Sequence, residues 1–295
     1  MSKINVAGAA CIDIIMRGVE KERFFSGSYK IPYVSYAFGG DALNQSIVLK
    51  HFGNDVRLLT NAGTDPFGKL LKQHLEEKGI LFNENMLKEG ISTYLSFVTV
   101  DSDGERSFTG SENGSLRLLE KEDITVDEDC RIFSFASLFI SKKLNDSKLT
   151  GLFQSVKKKD ILICVDCSTP KNQESYADLN CLRHVDYFFC NALEAKLLCG
   201  CEDLFTCEKR LYTAGSRNVI IKCGKDGCIC NGRCYPADPV ECLDSTGAGD
   251  SFVAGFIDAL AKNRNIEECI AQANRFGSKA CRHIGATAWL DHEKG

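Results

Sequence analysis

Short apolar runs of strand length recur along this chain, and stretches with the period of a helix fall between them. The runs are Ile4–Ala9, Val56–Asn61, Arg131–Phe135, Ile161–Asp166, Tyr187–Phe189 and Val219–Lys222. The helical stretches include Ala42–Phe52, Lys69–Lys78, Asp146–Lys158 and Leu193–Leu198. This alternation predicts an α/β chain, a parallel sheet with helices on both faces. Ligands of such sheets bind beyond the carboxyl ends of the strands.

Two segments break the rhythm. Ile14–Ala37 and Ser92–Thr109 read as β-ribbons, the second with the turn Asp101–Gly104 at its tip. Ribbons attached to an α/β sheet can form a lid that keeps water from a transfer site. The plainer readings are a peripheral stabilising sheet or a dimer contact. An open ribbon leaves strand edges unpaired, so a homodimer through these segments is a further expectation.

The chain has 295 residues, 44% of them hydrophobic. At this length folding buries roughly three quarters of the unfolded surface, enough to hold a core without metals or disulfides. The formal charge is −4 and no basic block stands out. That excludes the electrostatic footprint of a nucleic-acid binder and leaves a small molecule or another protein as partner. The opening MSKINVAGAACIDII lacks the cationic start and long apolar centre of a secretion signal, and no run approaches membrane-spanning length. A soluble cytoplasmic setting is expected, without a membrane partner. The sixteen cysteines then read as reduced, mostly packed thiols. Cys164 and Cys167 would face opposite sides of a strand, and Cys228, Cys230 and Cys234 lie in a hairpin-like stretch. Neither set has a complete four-ligand zinc pattern.

The segment richest in chemistry is Asp244-Ser245-Thr246-Gly247-Ala248-Gly249-Asp250-Ser251-Phe252. Phe252, Val253, Phe256, Ile257 and Leu260 repeat at helical spacing after it, so Gly247–Asp250 should occupy a helix N-terminus. Unpaired amides and the helix dipole favour an anion there, and glycines let a phosphate approach the backbone. With Asp250 at the same place, amides can stabilise a γ-phosphate while a carboxylate takes a hydroxyl proton. The plainer reading is a glycine turn with Asp250 as a cap. The third glycine of a dinucleotide fingerprint is missing, since Phe252 stands in its place, and so is a Walker motif.

Asp244–Phe252 resembles the C-terminal signature of the ribokinase/PfkB carbohydrate kinases. Gly39-Gly40-Asp41-Ala42-Leu43-Asn44, His51-Phe52-Gly53 and Asn61–Gly68 resemble the N-terminal one. The resemblance implies a Rossmann-like three-layer ribokinase fold with a small β-sheet lid, in a single domain spanning 1–295. It implies an ATP-dependent kinase of a small sugar, working with Mg²⁺. By this resemblance Asp250 is the catalytic base, and Gly247, Ala248 and Gly249 form the anion hole. Asp13, expected at the end of the first strand, would bind substrate with Gly39, Gly40 and Asn44. Asn191 and Glu194 would serve Mg²⁺ through its water shell; their plainer reading is a helix cap with a first-turn Glu. Lys222, Gly224, Gly227 and Asn274 would line the nucleotide site, Lys222 pairing with phosphates or simply solvated. Asp244 and Thr246 resemble residues of a K⁺ site.

The chain departs from common relatives in two places. After the second ribbon it reads TGSENGSL, without a clear cation to grip a substrate phosphate, and Arg106 is assigned to the hairpin. A D-x-N-x-R element appears as Asp166-Cys167-Ser168-Thr169-Pro170. Two alternatives stay open. One is a nucleoside kinase of the same fold, with Phe24, Phe25, Tyr33, Tyr36 and Phe38 as stacking material or as lid core. The other is a catalytically silent sugar-binding regulator, disfavoured by the intact Asp250.

Overall fold

The computed structural model describes residues 3–25, 27–101, 106–169 and 179–293. Among these, nine strands form one sheet. They are β1 (Lys3–Ala7), β4 (Asp55–Leu59), β6 (Leu81–Phe82), β10 (Ile132–Leu138), β11 (Leu162–Cys167), β12 (Tyr187–Asn191), β13 (Val219–Lys222), β14 (Cys228–Cys230) and β15 (Arg233–Tyr235). The order is β15-β14-β13-β12-β11-β10-β1-β4-β6, parallel from β13 to β6 and antiparallel at the β14–β15 hairpin. The main expected strands are present, each within a few residues of its expected bounds.

Both faces of the sheet are apolar because neighbouring residues of each strand point to opposite sides. Ile4, Val6, Val56, Leu58 and Ile132 pack with α2 (Asp41–His51), α3 (Pro66–Glu77), α7 (Ala248–Ala261) and α8 (Ile266–Ala280). Phe133, Phe135, Ile163, Val165 and Ile221 pack with α4 (Asp146–Lys157), α5 (Ala192–Cys199) and α6 (Leu204–Ala214). Cys164 lies in the first core and Cys167 in the second, as strand alternation requires. Side-chain caps set the helix starts: Asp65 accepts from the amides of Phe67 and Gly68, and Asn145 from that of Lys148.

A second sheet has the order β3-β2-β8-β9, from β2 (Cys11–Val19), β3 (Tyr33–Gly39), β8 (Leu95–Asp101) and β9 (Arg106–Gly110). β2 and β8 pair in parallel and join the two ribbons; β3 and β9 are its edges. A short helix, α1 (Lys21–Phe24), lies between β2 and β3, and a two-stranded pair links β5 (Ala62–Gly63) to β7 (Leu87–Lys88). The expected turn residues 102–104 and Pro170 lie outside the described residues.

One expectation is corrected here. Asp13 is not at the end of the first strand but inside β2, opposite Ala37 and Ser96. The apolar opening run is two strands. Gly8, at φ 141 with its amide on the Leu59 carbonyl, breaks it, and the second half belongs to the other sheet.

Candidate active site

The carboxyl ends of β10 to β13 bring Ser137, Asp166, Asn191 and Lys222 to one edge of the main sheet. α7 starts beside them. Gly247 precedes it at φ 73, and a Cβ there would meet the Ala286 Cα at 2.5 Å, so glycine is required on both counts. The Ala248 amide bonds the Ser245 carbonyl, whereas helix geometry gives the next amides, of Gly249 and Asp250, no acceptor within the helix.

Asp250 Oδ2 accepts a hydrogen bond of 2.7 Å from Asn44 Nδ2. Asn44 sits inside α2, and its Oδ1 is buried without a partner. Asp41 lies one turn earlier, where Ser168 Oγ donates to its Oδ2 at 2.8 Å. Lys222 Nζ donates to Asp166 Oδ1 at 2.7 Å. Lys222 is largely buried and paired, not solvated, and a Cβ at Gly249 would lie 3.5 Å from its Nζ.

Four carboxylates, Asp41, Asp166, Glu194 and Asp250, thus cluster around one ammonium. Burial pushes Asp250 well above the ordinary carboxylate range; the neighbouring Asp41 charge adds to this, and Asn44 and Lys222 only partly oppose it. Burial also raises Asp41 and Glu194, and takes Asp166 to about 7 despite its bond to Lys222. For Lys222 burial works against the charge, but Asp166 and Glu194 outweigh it and its pKa rises.

Three cavities meet at this cluster. One of ≈ 520 Å³ and one of ≈ 770 Å³ share Asp41, Tyr94, Phe108 and Asp250. A third, of ≈ 470 Å³, shares Lys222 with the first and Ser245 with the second. Asp13, Gly40, Asn44, Asp244, Thr246 and Gly247 line the ≈ 770 Å³ cavity. Gly224, Gly227, Ala248, Gly249 and Asn274 line the ≈ 470 Å³ cavity. Asn274 also donates to the carbonyls of Tyr235 and Pro236, fixing its rim.

Two candidates line none of these three cavities. Gly39 instead gives room to Asp13, since a Cβ there would overlap that carboxylate. Asn191 is spent on the plainer reading: its Oδ1 accepts from the Glu194 amide at 2.8 Å, and its own amide donates to Glu194 Oε2 at 2.7 Å. Glu194 still reaches the ≈ 520 Å³ cavity, its Oε1 accepting from Thr169 Oγ1. The aromatic candidates also lie elsewhere. Phe25, Tyr33 and Tyr36 are exposed, and Phe38 stacks on His74 with centroids 3.7 Å apart. Tyr94 and Phe108 line both larger cavities, Phe139 the ≈ 520 Å³ one and Phe252 the ≈ 470 Å³ one.

Several residues here were not singled out from the sequence. Asp41 stands within the quoted N-terminal signature, and Asp166, Ser168 and Thr169 within the altered D-x-N-x-R element. Arg117 follows TGSENGSL directly, lines the ≈ 520 Å³ cavity and donates to the Ile140 carbonyl at 2.6 Å. Arg106 is the first residue of β9, and its Nη1 lies 2.8 Å from Asp244 Oδ1 and bonds the Thr246 hydroxyl. Asp244 also accepts from the amides of Thr246, at 2.9 Å, and Gly285, at 3.0 Å. Burial alone would raise Asp244; the bonds from Arg106 and Thr246 outweigh it and hold the carboxyl at about 2. Asp244 and Thr246 do not fit a K⁺ ion in this arrangement. Their side-chain oxygens already face the Arg106 guanidinium and fixed amides, and two like unit charges about 4 Å apart near a protein surface repel by about 4 kcal/mol.

The fold and the glycine turn with its carboxylate define a sugar-kinase-like α/β class. Ribokinase from Thermotoga maritima superposes with a TM-score of 0.81 at 20% identity, over 98% of this chain and 96% of that one. The profile described as "pfkB family carbohydrate kinase" matches residues 1–293, and the chain belongs to this family. A 2-dehydro-3-deoxygluconokinase of Haemophilus influenzae is 27% identical over 275 residues, covering 85% of this chain and 88% of its own. Fructokinase-1 of Oryza sativa is 24% identical over 276 residues, covering 86% and 85%.

Proposed function

We propose that this carbohydrate kinase moves the γ-phosphoryl group of ATP to a hydroxyl of a small sugar, with Asp250 as the base. The observation that carries this is the position of Asp250. It stands at the amide-rich start of α7, where the two larger cavities meet, and it is held by Asn44. A sugar hydroxyl in the ≈ 770 Å³ cavity would supply the donor that Asn44 Oδ1 lacks, with Asp13 as a second acceptor. The Gly247–Gly249 amides would stabilise the charge developing on the transferred group. The nucleotide would extend into the ≈ 470 Å³ cavity past Gly224, Gly227 and Asn274. Asp250 then takes the hydroxyl proton, and burial keeps that proton affinity high enough for the task.

The residues present fit Mg²⁺. The ion keeps several waters and takes one or two carboxylates plus phosphates, and Glu194 and Asp166 face the ≈ 520 Å³ cavity beside Lys222. When bound it would neutralise charge on the transferring phosphates. The second sheet would act as a lid, a reading supported by Arg106 and Phe108 of β9, which line the ≈ 770 Å³ cavity. Its edges β3 and β9 are where a second copy could pair. A nucleoside acceptor is the second reading, supported by Tyr94 and Phe108 as stacking surfaces at the cavity walls.

The test is ADP release with ATP and Mg²⁺ over pentoses, ketohexoses, 2-keto-3-deoxy acids and nucleosides, with Asp250→Asn as the blank. A sugar that releases ADP only with the wild type supports the reading. Release with nucleosides alone would replace it with the second. Silence across the panel, with ATP still bound, would favour a sugar-binding regulator.

A further inference from the structure

We propose that Arg106 is a built-in cation that takes the place of a monovalent ion at the Asp244 turn and ties that turn to the second sheet. Asp244 is a buried anion that holds together two loops, its own and that of Gly285, whose neighbour Ala286 packs on Gly247. The shape of the turn before the anion-binding amides therefore depends on what neutralises this carboxylate. Here the countercharge is a guanidinium, bonded to both Asp244 Oδ1 and the Thr246 hydroxyl. Arginine stays charged at any working pH and presents several donors in a fixed fork, so it can hold two acceptors of one turn at once. Unlike a dissolved ion it does not exchange with the medium.

Arg106 also belongs to β9, so the countercharge arrives with the second sheet. The Asp244 turn is neutralised only when that sheet is seated over the ≈ 770 Å³ cavity that both residues line. Arg106 is thus a positioning residue, acting on Gly247–Gly249 through Asp244.

The experiment compares thermal melts and turnover of the full chain in KCl and in tetramethylammonium chloride at matched ionic strength, for the wild type, Arg106→Gln and Arg106→Lys. The wild type is expected to behave alike in both salts. Arg106→Gln is expected to lose at least about tenfold in kcat in tetramethylammonium, the size of one lost charge-assisted hydrogen bond, and to regain part of it, with a higher Tm, in KCl. Arg106→Lys keeps a charge and is expected to stay indifferent to K⁺. A wild type that needs K⁺ for turnover, or melts higher in it, overturns the proposal. So does an Arg106→Gln protein that matches the wild type in both salts. If that variant does not fold, the wild type and Arg106→Lys decide in the same way. The turnover arm rests on the kinase reading; the melting arm does not, so loss of that reading leaves this one testable.

Discussion

Clustered charge lies at both ends of the main sheet, half-buried at one and buried at the other, and the two ends are balanced differently. At the amino end, Asp127 accepts from Asn5 Nδ2 at 3.0 Å and from Arg57 Nη1 at 2.5 Å, with Lys3 Nζ 3.5 Å away; its amide donates to Asn5 Oδ1. One carboxylate thus has two cations and an amide. At the carboxyl end, four carboxylates share Lys222. The first arrangement holds β1 and β4 to the loop at Asp127. The second leaves negative charge under-neutralised beside three cavities, where burial raises proton affinity. A site that must accept a proton and then meet an incoming Mg²⁺-nucleotide suits the second arrangement, not the first.

The largest effect expected follows from Asp250→Asn, a loss of at least about 10²-fold in kcat with nucleotide binding retained. A calorimetric titration with ATP and a turnover assay on one preparation check it. Lys222→Met should cost at least about tenfold in turnover, because it removes the one cation that the described residues set among the four carboxylates and raises their proton affinity further. Arg57→Met at the other end should leave turnover unchanged and cost about 1–3 kcal/mol in denaturant unfolding. A loss of turnover in Arg57→Met would break the contrast between the ends.

Stability against pH sharpens it. The folded pKa of Asp250 is raised, so the folded state binds this proton more tightly than the unfolded chain does. The contribution to stability is therefore present at low pH and lost as pH rises through the folded value. Asp250→Asn should accordingly melt above the wild type on the alkaline side of that value. An Asp250 that served only as a helix cap would give the opposite, a less stable variant. The smallest shift expected in the pH profile is that of Asn44→Ala, which removes a donor to the carboxylate and should move the acid limb upward, beside a weaker hold on the sugar.

The strands, the helices on both faces and the Gly247–Asp250 turn were legible in the sequence because each is written in neighbouring residues. Apolar runs mark buried strands, and the glycines and Asp250 are adjacent to the helix they open. What was not legible is pairing across the chain. Lys222 finds Asp166 in β11, Asn44 finds Asp250 from α2, and Arg106 finds Asp244 from the second sheet. No local pattern records those distances: the sequence sets Lys222 beside phosphates or in solvent and Arg106 in the hairpin, and neither reading names the acid that the fold brings to it. Asp13 was misplaced for a related reason. One glycine at φ 141 divides a continuous apolar run between two sheets. Asn191 shows the reverse case, a short motif whose local meaning, a capping box, is what the fold uses.

The most direct test of the under-neutralised cluster is the pH profile of kcat/KM for the wild type beside Asp41→Asn. The account predicts a rate that falls as pH drops through a midpoint above the ordinary carboxylate range. It also predicts that the midpoint moves down in Asp41→Asn, where a neighbouring negative charge is gone. A wild-type midpoint inside the ordinary carboxylate range, or one that Asp41→Asn leaves in place, would contradict it.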